Sequence, residues 1–392
     1  MGYLTRTVWV LSLISLFTDA ASEMLYPIMP VYLNSIGFSV LFIGWLEGVA
    51  EATAGFSKGY FGKWSDRAGR RVPFVQLGYG LSALSKPFMS VSVLPIWIFF
   101  VRTLDRFGKG IRTGARDALL SSEATPETKA RIFGFHRSMD TMGAVIGPLF
   151  ALVYLHYHPN QYRNLFLLAF VPGILALGTS WFLIEKPLLT KARADVHGVF
   201  SVFGFWKEAP DRYRRLVFGL LLFSLFNSAD AFLLLQVKAS GCSDAEMIQI
   251  YIFYNLVYAL AAFPMGIVAD RLGVKRIFLA GLVLFSLVYL GMAQASGWKL
   301  FALLFFLYGL YAAATEGVAK AWVSSVASQS HMAAAMGTYA GLQSVMALLA
   351  SGLTGCVWFQ FGAAAAMYLS ATGAVTALLY LLFIPDGLTK RD

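Results

Sequence analysis

The chain has 392 residues, 58% of them hydrophobic and only 13% charged, and its mean hydropathy is +0.65. A soluble chain is about half apolar and about a quarter charged, so a soluble globular protein is excluded. Apolar runs recur from end to end, which also excludes one soluble domain on a single anchor. The net charge of +10 gathers in short segments between apolar runs, so it reads as membrane topology, and no nucleic-acid partner is expected.

A bilayer core of about 30 Å takes roughly 20 residues of helix. The first such span, about 7–33, opens like a signal peptide, with Arg6 before Val8 to Phe17 and a small-residue site at Ala20-Ala21-Ser22. The apolar pattern runs on from Met24 to Leu33, which makes it an uncleaved first helix. It carries Asp19 and Glu23 four apart, hence on one face. Span 2 (39–61) repeats that spacing with Glu47 and Glu51, and span 3 (73–93) carries Lys86 before Pro87.

Span 4 (95–119) is the most charged, with Arg102, Asp105, Arg106, Lys109, Arg112, Arg116 and Asp117. Arg102, Arg106, Lys109 and Arg116 form one helical stripe, which cannot face acyl chains. Its deep members Arg102, Arg106 and Lys109 are candidate substrate ligands; Arg112 and Arg116 are expected to snorkel to the headgroups. Span 5 (131–155) holds His136, Arg137 and Asp140, then Gly143, Gly147 and Pro148, and span 6 covers 164–184.

A polar stretch with Lys186, Lys191, Arg193 and Lys207 divides the chain six and six. The later spans are 213–237, 245–268, 275–295, 299–324, 333–357 and 361–385. They are sparser in charge: Asp230 in span 7, and Glu316 with Lys320 in span 10, whose spacing predicts self-pairing. Asn227, Gln343, Tyr308, Tyr311 and Trp322 are candidates for a facing wall. The expected fold is all-α and integral to the membrane, with twelve transmembrane helices in two pseudo-symmetric six-helix bundles, 1–184 and 213–392, joined by a cytoplasmic linker, 185–212. Only Arg163, Lys238 and Lys299 fall in the loops of one side. Lys63, Arg67, Arg70, Arg71, Lys129, Arg131, the linker cluster, Arg271, Lys275, Arg276, Lys390 and Arg391 fall on the other. The positive-inside rule then puts both termini in the cytoplasm of a multi-pass inner (plasma) membrane protein.

An internal repeat supports the division. Gly62-x-x-x-Asp66-Arg67-x-Gly69-Arg70-Arg71 follows span 2, and Gly266-x-x-x-Asp270-Arg271-x-Gly273, with Lys275 and Arg276, follows span 8, offset by 204 positions. Duplicated halves are a transporter signature, with the site at the midplane between them.

The loop run resembles the signature of the major facilitator superfamily. Arg106-Phe107-Gly108-Lys109-Gly110 is similar to that family's R-x-x-Q-G, with Lys109 where Gln is usual, and Gly143-x-x-x-Gly147-Pro148 resembles the G-x-x-x-G-P of its antiporter branches. The resemblance covers nearly the whole chain. It implies that helices 1, 4, 7 and 10 line a cavity and that Asp66 latches the cytoplasmic side when the pathway opens outward. The repeated glycines, acids and arginines named above, with Gly143, Gly147 and Pro148, are then gating candidates.

The expected function is a secondary transporter, proton-coupled, moving a small organic solute by alternating access, leaning to antiport and efflux. The alternative is proton-coupled uptake of an organic anion such as a carboxylate or siderophore. Proton-coupling candidates are Asp19, Glu23, Asp105, Asp140, Asp230 and Glu316; substrate candidates are Arg102, Arg106, Lys109, Arg137, Asn227, Tyr311, Lys320 and Gln343. Zincin, hydrolase-elbow and P-loop patterns are absent, so no catalytic residues are expected. Cys242 and Cys356 have neither metal-ligand nor disulfide-framework spacing, and no cofactor or metal is expected. The expected partners are the solute, protons and the bilayer, in a monomer.

Overall fold

Backbone amides in lipid must find their partners within the segment, which favours helix; among the described residues every regular element is helical. The computed structural model describes residues 4–26, 29, 32–33, 36, 40–158, 161–185, 201–242 and 244–384, with the side chains of 40–48, 51–52, 201–204, 231, 244–245 and 248 left aside. Glu47, Glu51, Lys186, Lys191, Arg193, Lys390 and Arg391 therefore lie outside the described residues or side chains.

The first half supplies α1 (Arg6–Glu23), α2 (Val40–Ala68), α3 (Val72–Met89), α4 (Pro95–Ser122), α5 (Lys129–Tyr157) and α6 (Tyr162–Ser180). A short helix, α7 (Ser201–Glu208), lies in the predicted linker. The second half supplies α8 (Asp211–Ser224), α9 (Ala231–Ala239), α10 (Asp244–Leu272), α11 (Val274–Met292), α12 (Trp298–Val326), α13 (Met332–Phe361) and α14 (Ala363–Leu382). Local chemistry sets several ends. The Thr5 hydroxyl accepts from the Val8 amide at the start of α1, Pro95 opens α4, and Gly69 turns the chain at φ 67° between α2 and α3.

Span 7 is the expectation that the structure alters. It is two helices, α8 and α9, with residues 225–230 between them out of helical register. Within the break the Ala229 amide donates to the Ser351 hydroxyl, and Asp230 turns to another helix.

By contact the helices form two packed units, 1–124 with 139–208 and 327–344, and 125–138 with 209–326 and 345–392. In the first, α4 packs on α2 and α3, and α6 on α1 and α3. In the second, α12 packs on α10 and α11, and α14 on α8 and α11. Seven helices among the described residues, α5, α6 and α10 to α14, are long and apolar enough to cross a membrane.

Candidate functional site

In the first unit, charge is buried in pairs. α4 turns Asp105 toward α3, where its carboxylate accepts from Lys86 Nζ at 2.9 Å and from the Ser82 hydroxyl at 2.5 Å, with Arg102 at 3.9 Å. Lys86 and Asp105 are 4% and 6% exposed, so each compensates a charge that lipid or protein interior would otherwise penalise. Arg102, Arg106, Lys86 and Glu23 line a cavity of about 30 Å³. That is room for one or two waters, and too little for an organic solute in this conformation.

The same unit brings α1 against the end of α5. A Cβ on Gly147 would lie 2.5 Å from the Ala20 carbonyl oxygen, and one on Gly143 would collide with that of Leu16. The two glycines therefore serve a close helix approach. That approach sets Asp19 beside Asp140, carboxyl to carboxyl, with Lys109 within electrostatic reach of Asp19 and the Ser15 hydroxyl donating to Asp140 Oδ1.

In the second unit, Asp230 at the α8–α9 interruption accepts from the Tyr308 hydroxyl at 2.7 Å, with Tyr254 as a further partner. Arg137, in the second-unit segment of α5, pairs with Glu316 at 2.5 Å and lies over the Tyr258 ring, 5.2 Å from its centroid. Glu316 thus takes a tertiary guanidinium partner from another helix, whose planar fork suits a carboxylate. Tyr311 is buried between Phe285 and Tyr308, at centroid distances of 4.9 and 5.1 Å. Asn227 lies within the interruption, Lys320 sits one turn after Glu316, and Gln343 lies half-buried on α13 in the first unit.

Each repeated aspartate caps a helix. Asp66, 1% exposed, accepts from Arg71 Nη2 at 3.1 Å and from the Ala334 amide at the start of α13 at 2.8 Å. Burial pushes its carboxyl up to about 6, against the opposing pull of Arg71 and the Ala334 amide. Asp270 accepts from the amides of Ala130 and Arg131 at the start of α5, at 2.8 and 3.0 Å, and from Arg131 Nε at 2.6 Å. Gly266 permits this approach, since a Cβ there would meet the Ala130 carbonyl at 2.5 Å, and Gly62 does the same beneath Ala333. Gly273, at φ 100°, begins α11. Arg67, Arg70, Arg271 and Arg276 are exposed.

Arg112 and Arg116 depart from the expected snorkelling. Arg112 lies over the Tyr79 ring at 4.4 Å and Arg116 pairs with Asp117 at 2.9 Å. Aromatic and acidic partners inside the protein replace the headgroups. Sequence reading also passed over Lys58, 8% exposed, whose Nζ donates to the Ser344 hydroxyl at 2.5 Å. It passed over Tyr254 and Tyr258 as well; their i,i+4 spacing was the available signal.

The sequence profile described as Major Facilitator Superfamily matches residues 11–251 and 236–392. An uncharacterised MFS-type transporter of Methanocaldococcus jannaschii is 32% identical over 388 residues, covering 97% of this chain and 95% of its own length. A multi-drug resistance efflux pump PmrA homolog of Lactococcus lactis is 22% identical, covering 75% of this chain and 73% of its own. Among solved structures, the human organic anion transporter MFSD10 (TETRAN) superposes with a TM-score of 0.81 at 18% identity, covering 96% of this chain and 99% of its own. The proton:xylose symporter XylE superposes with a TM-score of 0.76 at 14% identity, covering 98% and 96%.

Proposed function

Since the chain belongs to the major facilitator superfamily, and is thus a multi-pass membrane transporter rather than an enzyme, we propose that it is a proton-coupled antiporter exporting a small organic solute. The observation that carries this reading is the Asp19–Asp140 carboxyl pair, seated where Gly143 and Gly147 bring α1 onto α5. A proton lodged between two carboxyls leaves when the helices part, which couples proton release to a change of state. Glu23, Asp105, Asp230 and Glu316 are further proton candidates. Arg102, Arg106, Lys109, Arg137, Asn227, Tyr311, Lys320 and Gln343 are assigned to the solute.

In this reading the halves 1–184 and 213–392 rock about the linker 185–212, in an inner membrane with both termini cytoplasmic, and the monomer suffices. The Asp66 and Asp270 caps, with Gly62, Arg67, Gly69, Arg70, Arg71, Gly266, Arg271, Gly273, Arg276 and the α5 motif, gate the exchange. The pump homolog of L. lactis is named for efflux, which agrees with export. A second reading, uptake of an organic anion with protons, draws on Arg102, Arg106 and Lys109 along α4.

The test uses inside-out vesicles energised by respiration, with candidate solutes scored by collapse of the pH gradient. An antiporter collapses it; a symporter taking solute inward does not. Asp19→Asn and Asp140→Asn are each expected to abolish the collapse while leaving solute exchange at equilibrium. Collapse undiminished in both variants removes the carboxyl pair from the mechanism.

A further inference from the structure

A helix broken in mid-membrane leaves end carbonyls without helical partners, and the C-terminal end of the first segment carries the negative end of its dipole. α8 ends at Ser224 with six residues between it and α9, and amides of the break take the Leu221 and Phe223 carbonyls. Asp230 stands at the N-cap position of α9 yet makes no side-chain capping bond. Its carboxylate turns instead to the Tyr308 hydroxyl, and among the described residues it forms no ion pair.

Around it are oxygens with nothing to hold. Ser228 is 4% exposed and Tyr289 fully buried, yet the Ser228 and Tyr289 hydroxyls and Asn227 Oδ1 all lack a hydrogen-bond partner of sound geometry. The Tyr289 hydroxyl nevertheless lies within interaction range of Ser228, Tyr308 and Asp230. Buried polar atoms are ordinarily satisfied, so two orphaned hydroxyls near one carboxylate, with Asn227 Oδ1 orphaned in the same break, point to a missing partner.

We propose that the α8–α9 interruption is a binding site for a small monovalent cation of the sodium type, held by Asp230, Asn227, Ser228 and the hydroxyls of Tyr289 and Tyr308. All these donors are hard oxygens, which suit a hard ion. A single carboxylate suits one positive charge, and no cluster of three or more His, Cys, Asp or Glu side chains able to hold a metal occurs among the described residues. Arg137 and Glu316, the nearest other charges, neutralise each other in their own pair, leaving the Asp230 charge to the ion. The positive end of α9 opposes binding, and the negative end of α8 favours it. Cation sites at unwound mid-membrane helix are an economical use of carbonyls freed by the break.

This site goes beyond the proton-coupled reading and does not depend on Asp19 or Asp140. The experiment is thermal unfolding of the purified full chain in nanodiscs, with choline chloride replaced by sodium, lithium or potassium chloride at fixed pH and ionic strength. A ligand of the folded state raises Tm along a saturation curve. Sodium is expected to raise Tm by a few degrees and potassium and choline much less. Asp230→Asn is expected to erase the sodium increment and Ser228→Ala to raise the half-saturating concentration about tenfold, the effect of one lost hydrogen bond to a charge. Asp19→Asn is expected to keep the full increment, so failure here and failure of proton coupling are separate results. An equal rise with all three salts and choline, or a sodium increment intact in Asp230→Asn, overturns the proposal. Should Asp230→Asn not fold, an undiminished increment in both Ser228→Ala and Tyr289→Phe overturns it equally.

Discussion

A lysine and an aspartate at membrane depth cost several kcal/mol each unless they compensate one another, and Lys86 with Asp105 does so at 2.9 Å. Asp105→Ala orphans a buried ammonium and is expected to lower stability by about 3–5 kcal/mol. Lys86→Met combined with Asp105→Leu is expected to recover most of that loss, as read by Tm in one detergent. If the double variant stays stable and still transports, the pair is structural; if it is stable and inactive, the charges act in transport. Sequence alone marked both residues as ionisable groups in lipid, and so also Asp19, Asp140, Arg137 and Glu316. It left their partners unread, because each partner comes from another helix: Ser15 reaches Asp140 across 125 positions, and Arg137 of α5 reaches Glu316 of α12.

Among elements, the aspartate caps are the most symmetrical feature. Asp66 and Asp270 are 204 residues apart, and so are the amides they accept from, Ala334 and Ala130. The repeat was legible as a loop signature; that its carboxylates end on the first turns of α13 and α5 was not, since a helix start offers donors without any residue pattern of its own. The caps make two predictions. Gly147→Ala and Gly266→Ala each force a methyl toward a carbonyl oxygen at 2.5 Å, so each is expected to cost about 1–3 kcal/mol by overpacking, measured by unfolding temperature. The second concerns pH. Asp66 has its folded pKa raised to about 6 from 3.8, so its stability contribution is full below the unfolded value and is lost as pH rises through 6. The wild type is expected to lose more Tm than Asp66→Asn between about pH 5 and about pH 7. Parallel curves for the two proteins exclude Asp66 as the titrating group.

At the scale of the whole molecule, charge asymmetry between loops decides orientation. Arg70→Cys and Arg271→Cys, both at exposed positions, are expected to react with an impermeant maleimide only from the cytoplasmic face, and Lys299→Cys, exposed in the first turn of α12, only from outside. Labelling of position 70 in intact cells overturns the topology. The all-helical, multi-pass class was open to reading because length and hydropathy suffice for it. The break in span 7 was not, because its flanks, Leu220 to Phe226 and Ala231 to Val237, are as apolar as an unbroken helix.

Most of the charge at membrane depth lies in α1 to α5, among them Asp19, Glu23, Lys86, Asp105 and Asp140. Those helices are the first to emerge from the ribosome. A nascent chain halted after α1 or α3 exposes Asp19, Glu23 or Lys86 before Asp140 and Asp105 have been made. Early segments are therefore expected to stay beside the insertion machinery until later ones supply their counter-charges. Insertion of the first half is then expected to be cooperative and limited by the arrival of α4 and α5.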